Sequence, residues 1–318
     1  MSSRQRLFLA VRITAWLAVG ACVVVFARKL DWEQVFGAFA GVDLRLALLA
    51  TLVGVPCTAL QGLRWAALVK PVRSVPRMTA IAALYVGQAA SALLPMRAGE
   101  AVRTELLARA TGMGRARALG TVALDHAING LVMFALAATL PLLLPVPRWL
   151  AFALWAGMLL AVSAGLLLLR LARHPGTEGD GRIGRLVVRL RTGLAAARDP
   201  RAVAEAALFA ALAWAVEIAV AMIALDAFHL PHDLPHAMVV LFGVNLALAI
   251  PSPPASLGSF ELGAGTALVA FGGPTERAAA FAIGYHGMQL LPTLIMGGLM
   301  LAVFRKRAPV QPVPLAQA

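Results

Sequence analysis

Cysteine, acid and soluble sequence are all scarce in this chain, and each scarcity excludes something. There are two cysteines in 318 residues, and both Cys22 and Cys57 lie inside apolar runs, so neither a disulfide framework nor a cysteine metal cluster is available. There are 15 Asp+Glu against 28 Lys+Arg, and no Asp-x-Asp pair. A lipid-linked glycosyltransferase would be expected to carry paired acids in a sizeable soluble loop, and no loop of that size is apparent. Charged residues make up only 14% of the chain. What is abundant is apolar sequence, 60% of all residues at a mean hydropathy of +0.81. One water-soluble core does not absorb that much, so lipid must be the solvent for most of the chain.

The net charge of +13 fits this reading, because cytoplasmic loops of membrane proteins collect Lys and Arg beside anionic headgroups. Nucleic acid would account for the charge equally well. Here, however, the basic residues sit between apolar runs and never alternate with exposed aromatics, which argues against it.

The first apolar run, about 13–27, follows Arg4, Arg6 and Arg12 and has the outline of a signal peptide. Too few apolar residues separate Arg12 from Val19 for a signal core, and the run continues past Cys22, so an uncleaved span is expected. Further spans of roughly 20 residues are expected at about 46–69, 119–140, 149–169, 202–228 and 279–303, six in all. Two apolar regions differ. The stretch 79–94 ends at Leu94-Pro95 and 237–250 ends at Ile250-Pro251, each followed by Gly-containing polar sequence and a weaker apolar stretch. Both read as broken hairpins that return to the side they entered from.

Charge tests that layout. With six crossings and two returning hairpins, nineteen basic residues fall on one side and five on the other, and four, among them Arg64, Arg97 and Arg103, stay within or at the edge of membrane segments. The rich side is the cytoplasm, so both termini are expected there, in a bacterial inner membrane. If 79–94 crossed fully, Arg97, Arg103, Arg109, Arg115 and Arg117 would emerge outside and reverse the bias.

The expected fold is therefore an all-α polytopic membrane protein of six full transmembrane helices plus two broken re-entrant hairpins. It forms a single integral membrane domain over 1–308, in two inverted halves of about 8–141 and 149–304. Inverted halves with broken helices in matching places are the architecture of many alternating-access transporters, whose site lies near the midplane. The segment 171–201 reads as cytoplasmic and basic, with an amphipathic helix over about 182–198 lying on the membrane surface. Asp199 followed by Pro200 is expected to start the next span, and 309–318 reads as a disordered tail.

The breaks carry the candidate site. Both contain a proline, three residues, a glycine and then a glutamate: Pro95, Gly99 and Glu100 in one, Pro254, Gly258 and Glu261 in the other. Backbone groups freed by proline and glycine must line a polar cavity or be buried in protein. A helix restarting at such a glycine offers free N–H groups to an anion, and Arg97 and Arg103 would add charge, so a lipid with an anionic headgroup is the expected ligand. The plain alternative pairs Arg97 or Arg103 with Glu100 on the same helix. Deeper in the apolar runs lie Asp125, His126, Asn129 and Glu217, where ionisable groups face a bundle interior or a water path. For Asp125 and Glu217 a helix-to-helix lock, ligand contact and proton coupling stay open. His229, His232 and His236 have ligand-like spacing, but Pro231 and Pro235 break any helix there, so no metal and no cofactor is expected.

The runs LLPMRAGEAVRTELLARATGMGRARALGTVALDHAING and IPSPPASLGSFELGAGTALVAFGG resemble the flippase-like family that includes the transmembrane part of lysylphosphatidylglycerol synthetase. The Arg-x-Gly-Glu element falls on Arg97, Gly99 and Glu100, and the Pro-rich Gly-Phe-Glu element on Pro251, Pro253, Gly258, Phe260 and Glu261. Where relatives carry Glu-Arg followed by Asp, this chain has Asp125-His126 and Asn129. The resemblance implies a membrane domain that flips a lipid, with hopanoids, glycolipids and lipid-linked sugars among the family's associations. Fourteen residues follow Phe304, so lysyl transfer is not expected, and the chain is read as a non-enzyme. An anchor for a separate lipid-modifying enzyme, held through 182–198, is a further reading.

Overall fold

The computed structural model describes residues 30–94, 98–146, 148–173, 191–249 and 254–307, together with Ala21, Val24, Arg28 and Val188. Most of the expected first span, Arg97, Pro251, Pro253, most of the basic segment 174–190 and the tail 309–318 lie outside these residues.

Eleven α-helices and no strand occur among the described residues. They are α1 (Trp32–Ala40), α2 (Leu44–Val69), α3 (Arg77–Leu93), α4 (Gly99–Thr111), α5 (Arg115–Ala137), α6 (Leu140–Leu143), α7 (Arg148–Arg173), α8 (Pro200–Ala227), α9 (Leu234–Leu248), α10 (Ser259–Ala270) and α11 (Thr275–Arg307). Five stretches are long and apolar enough to cross a membrane: Leu44–Val69, Arg115–Leu143, Leu150–Arg173, Pro200–Ala227 and Thr275–Phe304. They coincide with the five described spans expected from hydropathy. Helix starts follow local chemistry. Asp43 accepts from the backbone N–H of Arg45 and Leu46 at 2.8 and 3.2 Å. Asp199 accepts from Arg201 and Ala202, with Pro200 at the first position of α8, as its sequence predicts.

Helices α2 and α8 form an antiparallel pair at the centre. The Asp43 N–H donates to the Ala227 carbonyl at 3.0 Å, Gly54 packs against Val220, and Cys57 Sγ reaches the Ala213 carbonyl at 3.6 Å. Small residues permit this approach, as in helix pairs that meet in lipid. By contrast α7 is peripheral. None of its most apolar window is buried within the protein, and Phe152, Leu159, Leu160 and Leu166 are all exposed, a face suited to hydrocarbon.

In two places a pair of shorter helices replaces a single span. Helices α3 and α4 flank the break at 94–98, and α9 and α10 flank the break at 249–258. Each pair crosses on two glycines. A Cβ added to Gly99 would lie 1.8 Å from the Gly87 carbonyl oxygen, and one added to Gly263 would lie 2.6 Å from that of Gly243. Only glycine lets the backbones come this close. The second pair also turns on Gly258, whose φ of 82° is a left-handed conformation.

Candidate functional site

The central pair and the two broken pairs enclose a cavity of about 440 Å³ whose lining comes from α2, α3, α4, α5, α8, α9, α10 and α11. On α2 the three- and four-residue spacing of Cys57, Gln61 and Arg64 puts them on one helix face, and all three line it. Gln88 of α3, Glu100 and Arg103 of α4, and Asn129 of α5 complete the wall from the first half of the chain. Glu217, Asn245 and Gln289 come from the second.

At one end sits an interior charge cluster. Asp125 is fully buried, and it receives Arg64 Nε at 2.7 Å, Arg64 Nη2 at 3.2 Å and Arg103 Nη1 at 3.2 Å. Arg64 also donates to Asn129 Oδ1. Arg103 donates from Nε to Glu100 at 2.7 Å, and its guanidinium lies 5.0 Å from the Trp65 ring centroid. The two arginines are 4% and 2% exposed, so their charge persists there only because each is paired and hydrogen-bonded. His126 Nε2 stands 3.0 Å from Arg103 Nη2 and 3.2 Å from Glu100 Oε2. One ring nitrogen cannot do both: unprotonated it accepts from the arginine, protonated it donates to the carboxylate.

Glu217 stands on α8 in a different setting. Its oxygens receive the Cys57 thiol at 3.1 Å and the Gln289 amide at 3.5 Å. Among the described residues no Lys, Arg or His is within ion-pairing distance of it.

In the second broken pair, Glu261 reaches back to accept the Gly258 N–H at 2.7 Å, which starts α10, while its other oxygen meets His286 Nδ1 of α11 at 2.7 Å. Phe260 stacks on the His286 ring at 4.3 Å. Glu100 with His126 and Glu261 with His286 are thus the same couple built twice. In each, a glutamate near the start of a pair's second helix meets a histidine on the long helix that follows.

The structure gathers Gly99, Glu100, Arg103, Asp125, His126, Asn129 and Glu217 around one cavity. Gly258 and Glu261 do not line it; they shape the start of α10. Arg97 lies outside the described residues. The expected pairing of Arg103 with Glu100 is present, and Asp125 forms a helix-to-helix lock. Sequence reasoning left Arg64 among the membrane-edge charges and missed its role, although an intramembrane arginine demands a counter-ion and Asp125 was the deep acid of the same half. It also passed over His286 and Gln61, Gln88 and Gln289, whose polarity inside apolar helices was the available signal. Pro235 does not break a helix as expected but stands in the first turn of α9, where proline is tolerated, and His236 beside it bonds to the capping Asp233; His232 lies 3.7 Å from Asp226.

Comparison with curated proteins gives no match. The family model described as the lysylphosphatidylglycerol synthase TM region matches residues 9–297, a span containing both broken pairs and every described cavity residue. This chain, a multi-pass membrane protein, belongs to the lysylphosphatidylglycerol synthase TM region family.

Proposed function

We propose that this protein binds a membrane lipid by its headgroup in the central cavity and carries it between leaflets without covalent chemistry. The observation that carries the reading is the cavity itself, a space lined by both polar and apolar side chains from the two halves and walled by two broken helix pairs. Such placement matches transporters in which discontinuous helices frame a midplane site. The layout that goes with it has six spans, with α3/α4 and α9/α10 re-entrant from opposite sides, the halves inverted, and both termini on the cytoplasmic face of a bacterial inner membrane. The repeated glycine crossings and the repeated Glu–His couples support inverted halves, and the nineteen-to-five distribution of basic residues supports the orientation.

The expectation of an anionic headgroup rested on the helix starts at Gly99 and Gly258 and on the charges of Arg97 and Arg103. Arg103 and Arg64 are each already bonded to carboxylates, which weakens the case for phosphate capture at that end. Lipid is the partner on this reading, and nucleic acid has no place in it.

Proteoliposomes test it. Wild-type protein should equilibrate fluorescent lipid between leaflets, and Asn245→Trp, which fills the cavity from α9, should stop this while the protein remains folded. A folded wild type that moves no lipid refutes transport. Loss of an enzyme partner on removal of 182–198 would then support an anchoring role.

A further inference from the structure

The lining chemistry narrows the class of headgroup, given that the cavity is where a headgroup sits. Charge is the first consideration. The described lining carries the acids Glu100, Asp125 and Glu217 and the guanidiniums of Arg64 and Arg103, and both guanidiniums already bond to carboxylates at 2.7 Å. An arriving phosphate would lose its hydration and meet cations whose charge is already taken up by carboxylates.

Between the charge cluster and Glu217 runs a neutral chain of hydrogen bonds. Thr58 Oγ1 donates to Gln88 Oε1 at 3.0 Å, and Gln88 Nε2 donates to Gln61 Oε1 at 2.8 Å. Gln61 Nε2 then reaches Cys57 Sγ at 3.5 Å, and the thiol donates to Glu217 at 3.1 Å. A carboxamide has two N–H donors and two acceptor lone pairs. The chain uses one N–H and one lone pair of Gln61 and the same of Gln88, so each keeps one donor and one acceptor. Both side chains line the cavity and neither is fully buried. Asn245 and Gln289 place further carboxamides on the opposite wall.

Donor and acceptor side by side select a ligand group that also does both. A hydroxyl donates and accepts at once, a phosphate oxygen only accepts, and an ammonium only donates. The volume, about 440 Å³, falls in the roughly 300–1,000 Å³ range of small-molecule sites. We infer that the cavity binds an uncharged, polyhydroxylated headgroup, a glycosyl or polyol moiety on a lipid anchor, through the carboxamides of Gln61, Gln88, Asn245 and Gln289. This deepens the transport reading, but binding and movement are separable.

The test uses purified full-length protein and three acyl-labelled lipids: monoglucosyl-diacylglycerol, phosphatidic acid and phosphatidylethanolamine. Binding is read in detergent by fluorescence polarisation of short-chain forms, and movement in phosphatidylcholine proteoliposomes. The glucosyl lipid should bind and move at least tenfold better than either other lipid. Gln61→Leu and Gln88→Leu, with unfolding temperature as the check on folding, should each remove about tenfold of that preference and leave phosphatidic acid unchanged. Selective binding of the glucosyl lipid without movement upholds the headgroup inference and refutes transport. Equal or better handling of phosphatidic acid or phosphatidylethanolamine overturns the inference while transport stands, and no binding or movement of any lipid overturns both. Free glucose in about 1,000-fold excess over the labelled lipid, a ratio at which even a weak competitor acts by mass action, should leave glucosyl-lipid binding unchanged; displacement by it would assign the site to a soluble sugar and overturn the lipid proposal. Because the wild-type comparison needs no variant, a misfolded mutant does not rescue the idea.

Discussion

Arg64 and Asp125, 61 residues apart in the chain, meet in the protein interior in a two-point ion pair of 2.7 and 3.2 Å. The pair joins α2 to α5, and Arg103 joins α4 to the same carboxylate, so one acid ties together three helices.

Replacing Asp125 should therefore cost more than one hydrogen bond. Asp125→Asn leaves two buried guanidiniums short of charge, a loss expected at roughly 3–5 kcal/mol. Combining Arg64→Ala with Asp125→Ala should cost less than the sum of the single changes, because the first removes a charge the second strands. Thermal unfolding of the purified protein in detergent, run as a double-mutant cycle, checks this; strict additivity would show that the pair is not coupled.

The glycine crossings make a sharper demand. Gly99→Ala drives a methyl into the Gly87 carbonyl, and because the obstacle is backbone, at least the ~1–3 kcal/mol of ordinary overpacking is expected, with loss of the α3/α4 packing. Gly165→Ala, at a position on α7 with nothing within 4 Å, should instead stabilise by roughly 0.5–1 kcal/mol. Expression level and unfolding temperature of the two variants should move in opposite directions.

Low pH should loosen the turn between α4 and α5. Hydrogen bonds from Arg115 at 2.9 Å and Arg109 at 2.6 Å hold the Glu105 carboxyl well below its ordinary range, down to about 2. A depressed carboxylate contributes stability that is fully present above its ordinary value of 4.5 and is lost as pH falls from there toward about 2. The unfolding-temperature gap between wild type and Glu105→Gln should hold steady at neutral pH and narrow once pH drops below about 4.5. The gap should be small, because such exposed pairs are screened by water. A gap constant into strong acid would contradict the assignment.

Glu217 offers a test of energy coupling. Its neighbours are a thiol and an amide that donate to its two oxygens, with no cation among them, and Gln at this position is of the same size and keeps one of those acceptors. If lipid movement is proton-driven through this carboxyl, Glu217→Gln should abolish dependence on an imposed pH gradient while leaving the fold intact. Unchanged dependence removes Glu217 from the mechanism.

Much of the fold was legible along the chain. A span needs about 20 apolar residues whatever surrounds it, so the helices at Leu44–Val69 and Pro200–Ala227 show in composition. Proline and glycine marked both breaks, and Asp199 with Pro200 marked a helix start, because those effects act within a few residues. The site was legible only in part. Asp125 and Glu217 stood out as acids in apolar surroundings, yet nothing local distinguished their roles. The first turned out to be saturated by two arginines, and the second to sit at the end of an amide chain.

Hydropathy and the distribution of charge thus sufficed to establish a multi-pass helical membrane protein with two interrupted segments, since lipid imposes the same cost on every exposed polar group regardless of topology. Which groups share the interior needed the folded chain. Gly87 meets Gly99, Arg64 meets Asp125, and His286 meets Glu261 through contacts between helices, whose geometry depends on how whole surfaces pack. Such pairings are many-bodied, and no short window of residues encodes them.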